Sequence, residues 1–428
     1  MTTNARGGKQ VALRGALRAG MHLYLRALQI ARVRGRRTRA ATGGHDVLIT
    51  AHYASAGWGR ALLAPLAASL RCRRLRLVAT APDPGVPGLE VVAPPRWLRA
   101  VCGATVARLM TFVAVAVRTR PDVVGGVHLL LNGLTAALAA RLAGARAMYI
   151  CVGGPSELVG GGIHSENRLF GRLAAADSRV EHQLLEATRA FDLIVTMGSS
   201  AQKFFRTRVA EPRCEVIPSG VDADVYLPGR EPRDVDLIVV ARLVPIKRLD
   251  LFLQVVRLVV SEVPDVRAVI IGDGPLHASL EAQAAALNIA GHVTFRRGEP
   301  EVAPWLRRAK VFLLTSDTEG VSISMIEAMA CGTVPVVSNV GDLADAVTNG
   351  RNGVLVDDRS PEAFARAAVP LLQDPARWND MSSAARAAAL RFDRRAIARR
   401  WDEALTPTAG REVRGLRKER EQWAEKYS

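Results

Sequence analysis

Lysine is scarce in this chain. Six of its 58 basic residues are Lys and the rest are Arg. An Arg-rich, Ala-rich composition says little about function by itself, but the position of the charge says more. Residues 1–45 hold ten Lys or Arg and no Asp or Glu, so more than half of the net charge of +17 lies in about a tenth of the chain. Such an acid-free block favours an anionic partner, a membrane surface or a nucleic acid. Aromatics make up only 5% and are not interleaved with the basic run, and no nucleic-acid module is visible, so no nucleic acid is expected. Cysteines number five, an odd count with wide spacings and no CxxC. That argues against a disulfide framework or a zinc site and for a reducing, cytoplasmic compartment. Long apolar runs are also missing. The best, Leu109–Val117, is too short to span a bilayer and is expected to be a buried helix. Arg14, Arg18, His22 and Arg26 interrupt the N-terminal apolar positions, so no secretory signal is expected.

What is present is a chain of 428 residues, 49% apolar, enough for two domains with sizeable cores. Leu13, Leu17, Met21, Tyr24, Leu25 and Leu28 recur at helical spacing between arginines, a basic amphipathic stretch suited to an anionic membrane. The alternative is a helix packed on the body, or a leader without fixed structure. Ordered structure is expected from DVLITAHY (46–53), a buried strand, followed by SAGWG (55–59) as a glycine-containing turn and a helix over 60–70. Strands and helices then alternate: LRLVAT (75–80), a helix near 97–117, DVVGGVHLL (122–130), a helix over 133–143, AMYICV (147–152), a helix over 172–190 and LIVTMG (193–198). This alternation builds a parallel sheet covered on both faces. The rhythm breaks near 222–234 and restarts at DLIVVARL (236–243), continuing through RAVIIGDG, HVTFRRG, KVFLLTS, TVPVVSN and GVLVDD. The expected fold is α/β, with two facing Rossmann-like domains and a cleft between them. The expected division is a leader (1–45), an N-terminal domain (46–225), a C-terminal domain (226–390) and a helical tail (391–428).

Two segments of the second half carry chemistry. In TSDTEGVSISMIEAMACGTVPVV (315–337) a strand ends, a loop brings Glu319-Gly320, and a helix begins near Ser322. The N–H groups and positive dipole end of that helix suit a phosphate in the crevice beyond the strand ends. Glu319 and Glu327 are eight apart, one before the helix and one about two turns in, so they can reach different ends of one extended ligand. In ARLVPIKRLDLFL (241–253), Arg242 and Lys247 follow a buried strand, where two cations can neutralise a diphosphate. Solvated charges are the alternative at each of these positions.

Taken with VIPSGVD (216–222), IIGDGPL (270–276) and GRNGVLVDD (350–358), in that order, these segments resemble the donor domain of family 4 retaining glycosyltransferases with the GT-B fold. The resemblance covers about 210–390 in motifs and 46–210 in strand order only. It implies that Arg242 and Lys247 hold a donor diphosphate, that Gly320 and Val321 offer it backbone amides, that Glu327 binds the ribose and Glu319 the transferred sugar. It also puts Arg296 and Arg297 near the base, and Gly57 and Gly59 of SAGWG beside the phosphates and acceptor. Family members often carry His after the strand that is AMYICV here, where this chain has Gly153-Gly154. His164 in the following loop is the candidate substitute, with Glu157 and Glu166 behind it. The implied activity is a metal-independent hexosyl transfer from a nucleotide-sugar donor to a glycan or lipid-linked acceptor, without a cofactor. Asp222-Ala-Asp224 and Asp234-Val-Asp236 match the DxD metal motif of another glycosyltransferase fold, but both fall at the hinge and are read as incidental. The competing classes are a sugar-nucleotide epimerase of similar fold and a non-catalytic membrane- or nucleic-acid-binding protein. The expected place of work is the cytoplasmic face of a membrane.

Overall fold

The structure, a computed structural model, describes residues 2–31, 44–53, 55–162, 175–209 and 212–406. It holds two sheets, every strand pair of which is parallel. The first comprises β1 (His45–Thr50), β2 (Cys72–Val78), β3 (Leu89–Val92), β4 (Val123–Val127), β5 (Arg146–Cys151), β6 (Leu193–Thr196) and β7 (Arg213–Val216). Their spatial order is β3-β2-β1-β4-β5-β6-β7. The second comprises β8 (Val235–Val240), β9 (Ala268–Ile271), β10 (Val293–Arg296), β11 (Ala309–Leu314), β12 (Val334–Ser338) and β13 (Val354–Val356), in the order β10-β9-β8-β11-β12-β13. The central strands are near-continuous apolar runs, as strands covered on both faces must be. In each sheet the chain order reverses once, between β1 and β4 and between β8 and β11. Those switch points open a crevice at the carboxyl ends of the strands.

Helices α1 (Thr2–Ile30), α2 (Ala56–Ala67), α3 (Arg96–Thr119), α4 (Leu134–Ala143), α5 (Val159–Gly162, a single turn), α6 (Ser178–Thr188) and α7 (Ser199–Arg208) accompany the first sheet. With the second go α8 (Leu249–Glu262), α9 (His277–Ala286), α10 (Ala303–Arg308), α11 (Ile323–Ala330), α12 (Pro361–Gln373) and α13 (Pro375–Ala389). The final helix, α14 (Arg394–Leu405), returns to the first sheet. Its Ile397, Trp401 and Leu405 join the core formed by β1, β2 and α2. The sequence marked this stretch only as tail, because its apolar residues do not say which domain receives them. Residues 407–428 of that tail lie outside the described residues.

Three expectations are corrected. The apolar stripe of α1 does not face outwards. Leu17, Met21 and Leu28 are buried with α4 and α6, Tyr24 donates its hydroxyl to the Leu134 carbonyl at 2.8 Å, and Arg18 pairs with Asp177 at 2.9 Å. The stripe covers an apolar face of the body, which would otherwise be left in water. SAGWG is not a turn, since Ser55 caps α2 by accepting from the Trp58 amide, and the helix starts at Ala56. The apolar run Leu109–Val117 is helical as expected, within α3, but it is buried only in part: Phe112, Val115 and Ala116 are buried while Met110 and Ala114 are exposed. The sequence reading also passed over β3, a four-residue edge strand.

Candidate functional site

After β8 the backbone is led out by the Leu243 amide donating to the Asp273 carbonyl at 2.9 Å, and then closes a short turn over Pro245–Lys247. After β11 the chain runs beside it. The Asp317 amide donates to the Ile246 carbonyl at 2.9 Å, and Thr315 donates its hydroxyl to the Arg248 carbonyl at 2.8 Å. Arg248 sits in the left-handed region at φ 48° and clamps both loops, reaching Asp250 at 3.0 Å and Asp317 at 3.4 Å. These links bring two predicted residues together: Lys247 Nζ donates to Glu319 Oε1 at 2.6 Å. Ser316 donates to the same oxygen, also at 2.6 Å. The Glu319 carboxylate is largely buried and Lys247 only slightly less so, so water screens the pair weakly.

Glu319 is also packed from behind. A Cβ on Gly341, at φ +58°, would stand 1.7 Å from the Glu319 carbonyl, so only glycine fits there. Gly320 lies close to the other half of the molecule, a Cβ there coming 3.7 Å from the Val152 carbonyl and 3.8 Å from Met197. Val321 lines a crevice between the halves with Met197, Pro218, Asp345 and Arg391. Ser322 caps α11 by accepting from the Met325 amide at 3.3 Å. Arg242 is exposed on the loop directly after β8. Glu327, on α11, is hydrogen-bonded to the Tyr226 hydroxyl, and burial pushes its carboxyl up to about 7 against the opposing pull of that bond. Arg296 and Arg297 stand apart, at the end of the edge strand β10. Arg296 lies over the Trp305 ring at 4.9 Å, and Arg297 is paired with Asp273 at 2.9 Å.

The four DxD aspartates are held by cations: Asp222 by Arg394 and Asp224 by Arg395 at 2.6 Å, Asp234 by Arg308 at 2.6 Å, and Asp236 by Lys310 at 2.8 Å. Among the described residues no three His, Cys, Asp or Glu side chains gather as metal ligands do.

On the N-terminal side the predicted glycines have other surroundings. Gly59 is buried, with a Cβ meeting Pro84 at 3.1 Å and the Tyr53 ring at 3.3 Å, so packing explains its size. Gly57 is exposed in the first turn of α2. His164 and Glu166 lie outside the described residues. Instead, His128 occupies the carboxyl end of β4, at the switch point. Its φ of 63° is a left-handed backbone rare for a non-glycine residue. Its ring is parallel to that of Trp58, at 6.4 Å between centroids. Glu157 lies buried beneath and collects four donors: His128 Nδ1 at 2.9 Å, the Leu129 amide at 2.7 Å, the Tyr149 hydroxyl at 2.8 Å and the Gly153 amide at 2.7 Å. Burial alone would raise the Glu157 carboxyl, but the His128 charge and these hydrogen bonds outweigh it and hold the group below the usual range. Glu157 is therefore an ionised acceptor that fixes the Nδ1 proton and the orientation of the ring. The sequence reading counted His128 as part of strand DVVGGVHLL. The signal available was Asn132-Gly133 after it, a turn pair that ends the strand early, whereas Gly125 and Gly126 lie within β4, where a Cβ on Gly126 would stand 2.4 Å from the Asn132 carbonyl.

Residues 228–388 match the family described as Glycosyl transferases group 1. The chain is 31% identical over 236 residues to the D-inositol 3-phosphate glycosyltransferase of Thermobispora bispora, covering 50% of this chain and 55% of that protein. It is 33% identical over 192 residues to the GDP-mannose-dependent alpha-(1-6)-phosphatidylinositol monomannoside mannosyltransferase of Mycolicibacterium smegmatis, covering 40% and 50%. The chain thus spans about half the length of the curated relatives it matches. Among solved structures, Anabaena Alr3699/HepE in complex with UDP superposes with a TM-score of 0.65 at 18% identity, covering 84% of this chain and 99% of that one. Sucrose-phosphate synthase from Thermosynechococcus elongatus gives 0.65 at 18%, covering 84% and 97%. The architecture is GT-B: two facing Rossmann-like domains with a cleft between them.

Proposed function

We propose that this protein is a retaining, metal-independent glycosyltransferase that uses a nucleotide-sugar donor held by its C-terminal half. The observation that carries this reading is the Lys247–Glu319 pair at 2.6 Å, on adjacent loops at the β8/β11 switch point and facing the other domain across Gly320. In this reading the donor diphosphate lies against Arg242, Lys247 and the amides of Gly320 and Val321 at the start of α11. Donor entry exchanges the Lys247–Glu319 contact for a Lys247–phosphate contact and turns Glu319 towards the sugar hydroxyls. Glu327 takes the ribose, and Arg296 and Arg297 border the base. As the nucleoside diphosphate departs, negative charge builds on its β-phosphate, and the two cations and the helix end stabilise it, which is the work a divalent ion does elsewhere. On the acceptor side His128, oriented by Glu157, takes the role sought from His164.

The relative named for phosphatidylinositol monomannoside supports an acceptor that is lipid-linked, and with it work at the cytoplasmic face of a membrane, while the relatives named for D-inositol 3-phosphate support a small polyol phosphate as the alternative. The competing epimerase reading would release a second free sugar or sugar nucleotide. Thermal-shift screening of nucleotide sugars, followed by transfer and hydrolysis assays with the stabilising donor, tests the proposal. Stabilisation by at least one nucleotide sugar, lost in Lys247→Ala, is the expected result. A folded protein that binds none of them, or yields an epimer, overturns it.

A further inference from the structure

Helix α3 carries a feature that the transferase reading does not use. It forms the crossover between β3 and β4, so one side packs on the sheet, with Phe112, Val115 and Ala116 buried there. The outer side of a solvated crossover helix is ordinarily polar. Here Val106 and Met110 are 49% and 51% exposed, Ala114 follows one turn on, and Val113 and Val117 flank them half-buried. The helix breaks at Gly103, where φ is 78° and ψ is 162°. The segment before the break holds Trp97 at 68% and Val101 at 80% exposure. Arg96–Thr119 is long and apolar enough to cross a membrane. Crossing would, however, strip the buried Phe112, Val115 and Ala116 from the core and draw the buried Arg108 guanidinium away from the Thr50 hydroxyl to which it donates. A helix tied to the sheet on one side can only lie along a membrane.

The surrounding charge selects the partner. Residues 91–121 hold five Arg and no acid, and exposed Arg96 and Arg99 sit beside Trp97 and Val101. A tryptophan and apolar side chains rimmed by cations match the headgroup region of an anionic leaflet. A second copy of the chain matches poorly, because a two-fold contact of this patch with itself would set its arginines against a surface that has no acid to pair them. We propose that the outer side of α3, from Trp97 to Val117, seats the protein on an anionic lipid surface, with Trp97, Val101 and Met110 entering the headgroup layer and Arg96 and Arg99 meeting lipid phosphates. The proposal rests on the membrane location argued above, not on the donor chemistry, and it moves the attachment from the stripe of α1, which the body occupies.

The full chain is to be co-sedimented with phosphatidylcholine vesicles with and without phosphatidylglycerol. Wild type is expected to bind the anionic vesicles, less so as salt rises. The variant Trp97→Gln/Val101→Gln/Met110→Gln is expected to partition about tenfold more weakly or worse, with an unchanged melting temperature because these side chains are exposed. Arg96→Gln/Arg99→Gln is expected to lower the preference for anionic vesicles by about fivefold per cation. If wild type binds no vesicle, the membrane location itself fails. If wild type binds and the triple variant binds equally well, this surface alone is overturned. Self-association without lipid that the triple variant abolishes would overturn it in favour of a second copy.

Discussion

The two sheets both hold candidate residues at a switch point of strand order, yet they fix them by different means. On the C-terminal side the work is done by charged side chains from two neighbouring loops, stitched by short backbone bonds and by the Lys247–Glu319 and Arg248–Asp317 pairs. On the N-terminal side it is done by backbone: a left-handed His128, a bulged turn over Leu129–Gly133, and one buried carboxylate, Glu157, holding four donors. The first arrangement is a set of cations held by carboxylates, which in the proposed reading an anionic ligand displaces at Lys247. The second is a rigid socket that orients a single imidazole. In the proposed reading the first side binds the donor and the second serves the acceptor, and each side can be broken independently.

The largest effect is expected in the donor half. Arg242→Ala/Lys247→Ala should lower transfer by about 10³-fold or more, since each donor to a developing oxyanion contributes about 10²–10³-fold. Its melting temperature should stay within a few degrees of wild type. Wild-type turnover in the folded double variant would remove the donor assignment.

The acceptor half comes next. His128→Ala should lower transfer by about 10²-fold while leaving donor binding, read by calorimetry, unchanged. A donor affinity that falls in step with turnover would erase the separation between the halves. Glu157→Gln should also destabilise the fold by about 2–4 kcal/mol at neutral pH, because buried donors lose their charged acceptor. The Glu157 carboxyl is held below its usual range, so this stability is present above the ordinary carboxylate pKa and is lost as pH falls through the folded value. Denaturant melts of the two proteins should therefore converge in acid.

Glu327 should behave in the opposite sense. Its folded pKa, raised to about 7, favours the protonated state, so its contribution to stability is full below the unfolded value and disappears as pH rises through 7. Glu327→Gln should then be more stable than wild type at pH 8 by about 1–3 kcal/mol and equal to it near pH 4, yet bind donor about tenfold more weakly. Equal melting curves at pH 8 would show that the carboxyl is not strained by burial. The smallest effect should come from chelation. Transfer should persist in excess EDTA, and a loss restored by magnesium or manganese would bring the two Asp-x-Asp segments back into the site.

Legibility followed the same division. Arg242, Lys247, Glu319 and Glu327 could be picked out as candidates because their spacing along two segments already defines two loops and a helix, and the structure joins two of them, Lys247 and Glu319. Gly57 and Gly59 were assigned to a turn because glycine is the usual sign of one, whereas Ser55 caps a helix that runs through both. The apolar stripe of α1 could be read as a stripe, but its partner could not. Periodicity reports that a face must be covered and is silent on whether protein or lipid covers it.

By itself, the sequence determined the α/β alternation, the restart after residue 234, and the cations and carboxylates of the second half, because these depend on local periodicity and on neighbours a few residues apart. Only the tertiary structure decided that α14 closes the first core, that α1 is covered by the body while the outer side of α3 is not, and that His128 and Glu157, 29 residues apart, share a proton-bearing contact. Each of these is a competition among faces and groups distant in sequence, settled by which pairing buries the most apolar surface and leaves the fewest buried polar groups unmatched.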